Sequence, residues 1–503
     1  MSHVPPPPPP PAAADPLAAP PLGRPTKFWY GLGQLAEGLG HEGLNLFLFF
    51  YYTSVLGLSG ALAGQAILIA LLFDAVTDPL VGVWSDRIAS RWGRRHPFLY
   101  LSAIPLGVCF YLTFVPPVGL PQAGLFAWLV VFAVLTRVAT SIFNVPHLAL
   151  GAELSRDYEE RNQISALQFF FERAGHGIAG MLAFLWFFRS SEAYPNGQLN
   201  PAAYPRLALV LAVGMALAVL LSAWRTQPRA RFLAPADPRA RARGFASVAL
   251  GDLVDSLRNV SFRVLFLGLL LIYAALGVGT ALSIHLGTYF WRVGTDEMLV
   301  WGIVSGFTVF AGLGFWPRAA KRFDKRPVFV LGIVLFAFFT ALPPFLLLAG
   351  LFPSRESALY LPAWLLSTAV CAQFGLAATM VTGRSMMADV TDEDALACGR
   401  RREGVFFGAA SFSSKAAFGI GSQIAGLCIQ WIALAPNARP EDVGPDVVTG
   451  LGLTFGISIL ALCGLSLLLF SRYRLTRERH AAVRAALAAR EPRAAVAGFA
   501  PDA

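Results

Sequence analysis

The chain has 503 residues, 56% of them hydrophobic and 14% charged, with a formal net charge of +10. A soluble domain carries about 25% charged residues, so this composition excludes an ordinary soluble fold and points to a membrane protein. Cys109, Cys371, Cys398, Cys428 and Cys463 have no paired or metal-type spacing, which argues against a disulfide framework or a zinc site.

Residues 1–24 begin with an unbroken run from Pro5 to Pro11 and lack an apolar core. They read as a disordered cytoplasmic tail rather than a cleavable signal peptide. Apolar runs able to cross a ~30 Å hydrocarbon core, about 20 residues of helix, follow at 28–56, 62–85, 98–117, 123–147, 163–188 and 206–224. A cytoplasmic linker, 226–261, precedes six more at 262–291, 298–317, 327–350, 360–388, 404–433 and 448–471. The expected fold is an all-α membrane protein of twelve transmembrane helices in two pseudo-symmetric six-helix bundles, 25–225 and 262–472. A cytoplasmic tail, 473–503, rich in Ala and Arg, closes the chain.

Orientation follows from the basic residues. With the amino terminus inside, 31 Lys and Arg fall in the tails and cytoplasmic loops, and five, Arg189, Arg206, Arg292, Arg355 and Arg439, fall in outer loops. Both termini are therefore expected in the cytoplasm, with the chain in the cell (inner or plasma) membrane. The same partition accounts for the positive charge without nucleic acid.

The two halves echo each other. Gly82-Val-Trp-Ser-Asp86-Arg87 and Arg91-Trp-Gly93-Arg94-Arg95-His-Pro97 follow the second run; Gly314-Phe-Trp-Pro-Arg318 and Lys321-Arg322-Phe-Asp324-Lys325-Arg326-Pro327 follow the eighth. The first of these loops reads as a gating latch of Gly82, Asp86, Arg87, Arg91, Gly93, Arg94 and Arg95. Related halves suggest a transporter with its site between them near mid-membrane.

Ionisable groups inside an apolar helix are costly and tend to line a functional path. Asp74 and Asp78, one turn apart, share a helix face with Thr77 nearby. Hard oxygen ligands of this kind suit Na⁺, and a buried acidic pair also suits proton coupling. Lys415 lies about three turns into the eleventh run, where its ammonium needs a carboxylate; Asp74 and Asp78 are the partners expected, forming a charge network with Arg173, Asp389 and Arg384. Most of the run from Asp389 through Asp392, Glu393, Asp394 and Arg400–Arg402 to Glu403 reads as a loop salt-bridge network. Glu37–His41 and Glu172–His176 are each spaced i,i+4, so each is read as a self-satisfied pair or as path lining. His41, Asn45, Asn144, His147, Gln168 and Gln373 are the substrate-binding candidates.

Tyr30-Gly-Leu-Gly33, Tyr51-Tyr52-Thr53, Asp74-Ala-Val-Thr-Asp78-Pro79, Ser90-Arg91-Trp92-Gly93, Asn144-Val-Pro146, Glu160-Arg161-Asn-Gln163, Ala388-Asp389-Val-Thr-Asp392, Arg402-Glu403 and Lys415 appear in one order along the chain. In this the chain resembles the glycoside–pentoside–hexuronide:cation symporters of the major facilitator superfamily. The second loop is also similar to that of plant-type sucrose carriers, and Asp-Ala-Val-Thr-Asp-Pro-Leu-Val-Gly to animal sodium-dependent lysophospholipid symporters. The resemblance implies Asp74 and Asp78 as cation carboxylates, Thr77 and Ser141 as supporting oxygens, and Lys415 as the charge linking the halves. It also shows departures. Where melibiose permease has sugar-binding groups, this chain has Gly38, Asn144, Leu148 and Phe169, and Thr77 stands where that permease has an Asn.

The expected function is cation-coupled symport, with Na⁺ or H⁺, of a small organic solute such as a sugar or glycoside. A lysolipid or other amphiphile is the alternative solute. No metal motif, nucleophile elbow or nucleotide loop marks an enzyme, and paired halves suit alternating access better than a channel. No cofactor, no metal beyond the coupling cation, and a monomer are expected.

Overall fold

The computed structural model describes residues 21–88, 90–155, 157–232, 257–398 and 403–497. The Pro-rich tract, most of the central linker and the basic run 400–402 lie outside the described residues. Among the described residues all regular structure is helical.

The first span, α1, is a succession of segments, Arg24–Leu32, Gln34–Glu42, Gly43–Phe47, Leu48–Phe50 and Tyr51–Val55. The rest of the first half comprises α2 (Gly60–Arg87), α3 (His96–Thr113), α4 (Gln122–Leu154), α5 (Tyr158–Leu182, continued by a π turn Ala183–Phe187) and α6 (Ala203–Thr226). The second half contains α7 (Val260–His285 with a π turn Leu286–Trp291), α8 (Thr295–Phe323), α9 (Lys325–Leu348), α10 (Tyr360–Trp364, Leu365–Cys371 and Ala372–Cys398), α11 (Glu403–Trp431) and α12 (Pro445–Phe470). A further helix, α13 (Arg477–Ala497), follows.

Local chemistry starts and stops these helices where the sequence demands. Ser59 caps α2 by accepting from Leu62 N, Asp157 caps α5, and Asn259 caps α7, each satisfying an orphan amide. Asp324, in the left-handed region at φ 76, separates α8 from α9 in a single residue and caps α9 with its carboxylate. Pro79 lies inside α2 immediately after Asp78.

Nine helices are individually long and apolar enough to cross a membrane among the described residues. The spans outside that set are α1, α5 and α11. They carry Glu37, His41, Glu42, Asn45, Glu172, Arg173, His176 and Lys415, so the polar groups that lower their hydropathy are those packed between helices rather than facing lipid.

The pseudo-symmetry extends to helix crossings. α1 meets α5 at Gly38 and Gly175, and α7 meets α11 at Gly277 and Gly421. A side chain at Gly38 would run into the Glu172 carbonyl, and one at Gly277 into the Phe418 carbonyl. Small residues let membrane helices approach to backbone contact, where dispersion drives association. Gly38 is therefore filled by the backbone of α5, which explains why no side chain from that position reaches the cleft.

The halves meet along α2–α11 extensively and along α5–α8 more thinly. At the end opposite the termini they are closed. Thr53 Oγ1 lies 3.0 Å from His285 Nε2, Gln198 donates to Thr288 at 3.0 Å, and Asn437 N donates to Ser54 O at 2.7 Å. Here α2 is packed on α11, with Gly64 against the Ser422 carbonyl and Gly60 against Gly426. From Leu72 onward α2 becomes exposed over much of its surface, including Phe73, Val76, Leu80 and Trp84.

Gly38→Val and Gly277→Val, made separately, are expected to destabilise the protein by about 1–3 kcal/mol through overpacking. Gly279→Val, where a Cβ meets open space, serves as the control. Thermal unfolding in detergent checks this; equal midpoints for all three variants would refute the backbone-contact account.

Candidate functional site

Where the packed and open portions of α2 meet, Lys415 Nζ of α11 lies 2.7 Å from Asp74 Oδ2 and 2.6 Å from Asp78 Oδ2. One ammonium thus bridges two carboxylates and joins the halves. The Asp74 side chain is 5% exposed and that of Asp78 29%, so the clamp is sealed on one flank and open to the cleft on the other. Ser141 of α4 donates to Asp74 Oδ1 at 3.0 Å, and Thr77 Oγ1 lies 3.1 Å from Ser141 Oγ. Asp74, Asp78, Thr77 and Ser141 form a set of hard oxygens around a single bound positive charge. That charge is supplied by Lys415, so a small cation taking these oxygens would have to displace it.

Of the residues expected in one network with Lys415, the other three lie apart from this clamp. Arg173 donates to Glu172 at 2.7 Å and to His176 Nε2 at 2.8 Å. His176 in turn holds its proton on Nδ1 and donates to Glu42 at 2.9 Å. The i,i+4 pairs read from the sequence are replaced by this crosslink between α1 and α5, because His176 faces α1 rather than the preceding turn of its own helix. Arg384 is exposed on α10. Asp389 accepts from Lys325 Nζ at 2.6 Å at the terminus-bearing end, too far down α10 to join a mid-membrane group.

The substrate candidates divide. His41 is solvent-accessible although deep among the helices, and its ring packs edge-on against His176 at 4.8 Å. Asn45 is buried and accepts from Arg137 Nη2 at 2.8 Å. Asn144 accepts from Gln34, Gln168 donates to the Tyr30 hydroxyl, and Gln373 is half-buried on α10. His147 corrects the expectation. It is fully buried, receives Gln34 Nε2 at its Nδ1 (2.9 Å), reaches the Tyr30 carbonyl with Nε2 (3.1 Å) and stacks on Tyr30 at 4.4 Å. Both ring nitrogens are occupied in pinning α1 against α4, which leaves nothing for a solute.

Most of the residues expected to form a latch gather in one cluster at the terminus-bearing end of the first half. Arg95, 5% exposed, donates to Ser85 (2.6 Å), Asp86 (2.5 Å) and Glu153 (2.8 Å). Arg94 joins Glu153 at 2.9 Å, and Ser85 donates to the Gly82 carbonyl. Gly93, at φ +83, makes the turn, Arg91 lies over Trp92, and Arg87 is exposed. The second half repeats the device: Asp389 holds Lys325, while His480 of α13 approaches Asp392 at 3.0 Å and Arg479 meets Glu393 at 3.0 Å. The sequence reading missed Glu153, the hub of the first cluster, and Arg137. Both were findable, since an arginine within a span and a string of arginines facing a helix end each require a carboxylate or amide partner.

Two six-helix halves closed at one end and joined by an ion clamp between α2 and α11 define a secondary transporter of the major facilitator fold. The chain belongs to the MFS/sugar transport protein family, whose model matches residues 29–477. It is 26% identical to an uncharacterized symporter of Synechocystis, covering 94% of this chain and 98% of that one. It is 25% identical to the isoprimeverose transporter of Lactiplantibacillus pentosus, over 80% of this chain and 79% of that one. The crystal structure of the nucleoside transporter NupG shares the fold at a TM-score of 0.60 and 13% identity, covering 89% of this chain and 98% of that one. The protein is a multi-pass membrane transporter of a small molecule, and its family is one of transporters, not enzymes.

Arg95→Ala is expected to lower stability by about 3 kcal/mol, because Glu153 is left partly buried with Arg94 alone. Arg95→Lys should recover only part, since an ammonium cannot fork to Ser85, Asp86 and Glu153 together. Melting in detergent measures both, and a wild-type midpoint for Arg95→Ala would show the cluster to be energetically idle.

Proposed function

We propose that this transporter carries a sugar or glycoside together with Na⁺ or H⁺ by alternating access. The observation that supports the reading is Lys415 between Asp74 and Asp78. An incoming cation competes with the ammonium for the same oxygens, and that competition gives it a differential affinity for two conformations, which is what a ligand needs to shift an equilibrium. Entry of the cation frees Lys415, loosens α2 from α11 and lets the closed end open. Loss of the cation restores the clamp. Thr77 and Ser141 complete the oxygen set, and His41 packs against His176 of the α1–α5 network. The chain's similarity to an isoprimeverose transporter favours a glycoside as solute.

With the basic residues partitioned 31 to five, the terminus-bearing end faces the cytoplasm, and the structure then represents the inward-facing conformation in the cell membrane. We take the working unit to be the monomer, since each chain contains both halves of the clamp. Reporter fusions after residue 230 and at the carboxyl end are expected to read cytoplasmic; an external reading at either would reverse the assignment.

Asp74→Asn, Asp78→Asn and Lys415→Ala are expected each to abolish gradient-driven accumulation in proteoliposomes tested with a labelled panel of glycosides and lysolipids. Wild-type protein should accumulate a glycoside when a Na⁺ or H⁺ gradient is imposed. Full concentrative uptake by Asp78→Asn would remove this pair from coupling, and accumulation of lysolipids alone would replace the sugar reading with the amphiphile one.

A further inference from the structure

The helix that follows the last span, α13, packs against α10 with very little apolar surface. Through residue 489 its one buried side chain is Val483. Most helical stability in proteins comes from the packing of an apolar face, so α13 needs another hold. Three side chains in its first turn supply it. Arg477 donates to the Ala320 and Lys321 carbonyls at the end of α8, and its amide to Asp324. Arg479 meets Glu393 at 3.0 Å but is 53% exposed, where an ion pair contributes little. His480, 17% exposed, places Nε2 3.0 Å from Asp392 and 3.7 Å from Asp389.

The end of α10 turns Asp389, Asp392 and Glu393 toward this contact, while Asp394 is buried and accepts from Cys398. Lys325 of α9 serves Asp389, and Arg479 serves Glu393. Asp392 has His480 alone among the described residues. On the histidine's own helix Arg477 is committed to α8, and Glu478 and Arg484 are exposed. Tyr473, in the segment leading into α13, is buried and stacked on Phe470. Of the three groups set against the α10 carboxylates, lysine and arginine keep their charge at neutral pH, and histidine alone can gain or lose it there. A neutral imidazole gives Asp392 one ordinary hydrogen bond from Nε2–H. The imidazolium gives the same bond charge-assisted, about twice as strong, and a positive charge beside Asp389 as well.

We propose that α13 is a proton-tightened strap on the second half, fastened at His480. A proton taken from water onto Nδ1 completes the imidazolium, and its return to water leaves the neutral ring and a single weaker bond. The strap is therefore tight when the aqueous phase bathing the termini is acidic and loosens as that phase turns alkaline. Through Asp389 and Asp392 it restrains the end of α10, and through Arg477 the turn between α8 and α9. It touches neither the Lys415 clamp nor any group assigned to a solute, so it operates whichever ion and solute are carried.

Hydrogen–deuterium exchange of the full-length protein in lipid vesicles tests it, read at about pH 6 and about pH 8 and normalised to the intrinsic exchange rate at each. In the wild type the amides of α13 and of the α10 end are expected to be about fivefold better protected at the lower pH. His480→Arg should hold both segments at the higher protection at either pH, and His480→Gln at the lower. Asp392→Asn should lose most of the pH response from the carboxylate side. No response in the wild type, or a wild-type response in His480→Gln, would overturn the proposal. A response in α13 without one in α10 would overturn the restraint on α10. Should His480→Gln fail to fold, an undiminished response in Asp392→Asn would overturn the proposal in its place.

Discussion

The architecture turns on one electrostatic constraint: a lysine ammonium within the membrane layer must have a counter-charge, and the counter-charge lies in the other half of the protein. Lys415 on α11 satisfies it with Asp74 and Asp78 on α2. Neither side can withdraw alone without leaving an uncompensated charge among apolar helices, a penalty of several kcal/mol. The clamp thus couples two bundles that are otherwise joined by small-residue packing and a few neutral hydrogen bonds. The contact that links the halves is therefore costly to break on one side only.

Around the clamp the halves follow one plan with different chemistry. Facing glycines set the α1–α5 and α7–α11 crossings at backbone contact. At the terminus-bearing end a cation at the start of α3 or α9 meets a carboxylate low on α4 or α10, as Arg95–Glu153 and Lys325–Asp389. The middle of each half diverges. The first half concentrates Glu37, His41, Glu42, Arg137, Glu172, Arg173 and His176, while the second contributes Lys415 and the exposed Arg384. The halves share a scaffold and differ in where their charges lie.

Much of this was legible in the chain because two physical quantities are local. Hydrophobic length marks a span, and a charge inside such a span marks a requirement for a partner. These located the helices, the two halves and the meeting of Lys415 with the span-two aspartates. Pairings that depend on how each helix is rotated were not legible. Glu172–His176 has the spacing of an intrahelical pair, yet His176 turns to Glu42 of α1. His147 looked available beside Pro146, but helix packing had already used both its nitrogens. Gly38 was read as a lost side chain, and its purpose became visible only once the α5 backbone was seen against it.

Pro79 gives α2 a mechanical character that its continuous helical path conceals. A proline has no amide hydrogen, so the carbonyl one turn back, at Ala75, lacks its helical donor between the two clamp aspartates. On one side of this joint, residues from Gly60 to Leu71 are bound to α11 through glycine contacts; on the other, Ser85 and Asp86 are fastened to Arg95. The helix is therefore a lever with each arm anchored to a different body and its fulcrum one residue past Asp78. Rotation of the halves can be taken up as a bend at that fulcrum, so the carboxylates can change their separation from Lys415 as the arm packed on α11 loosens and the arm fastened to Arg95 holds.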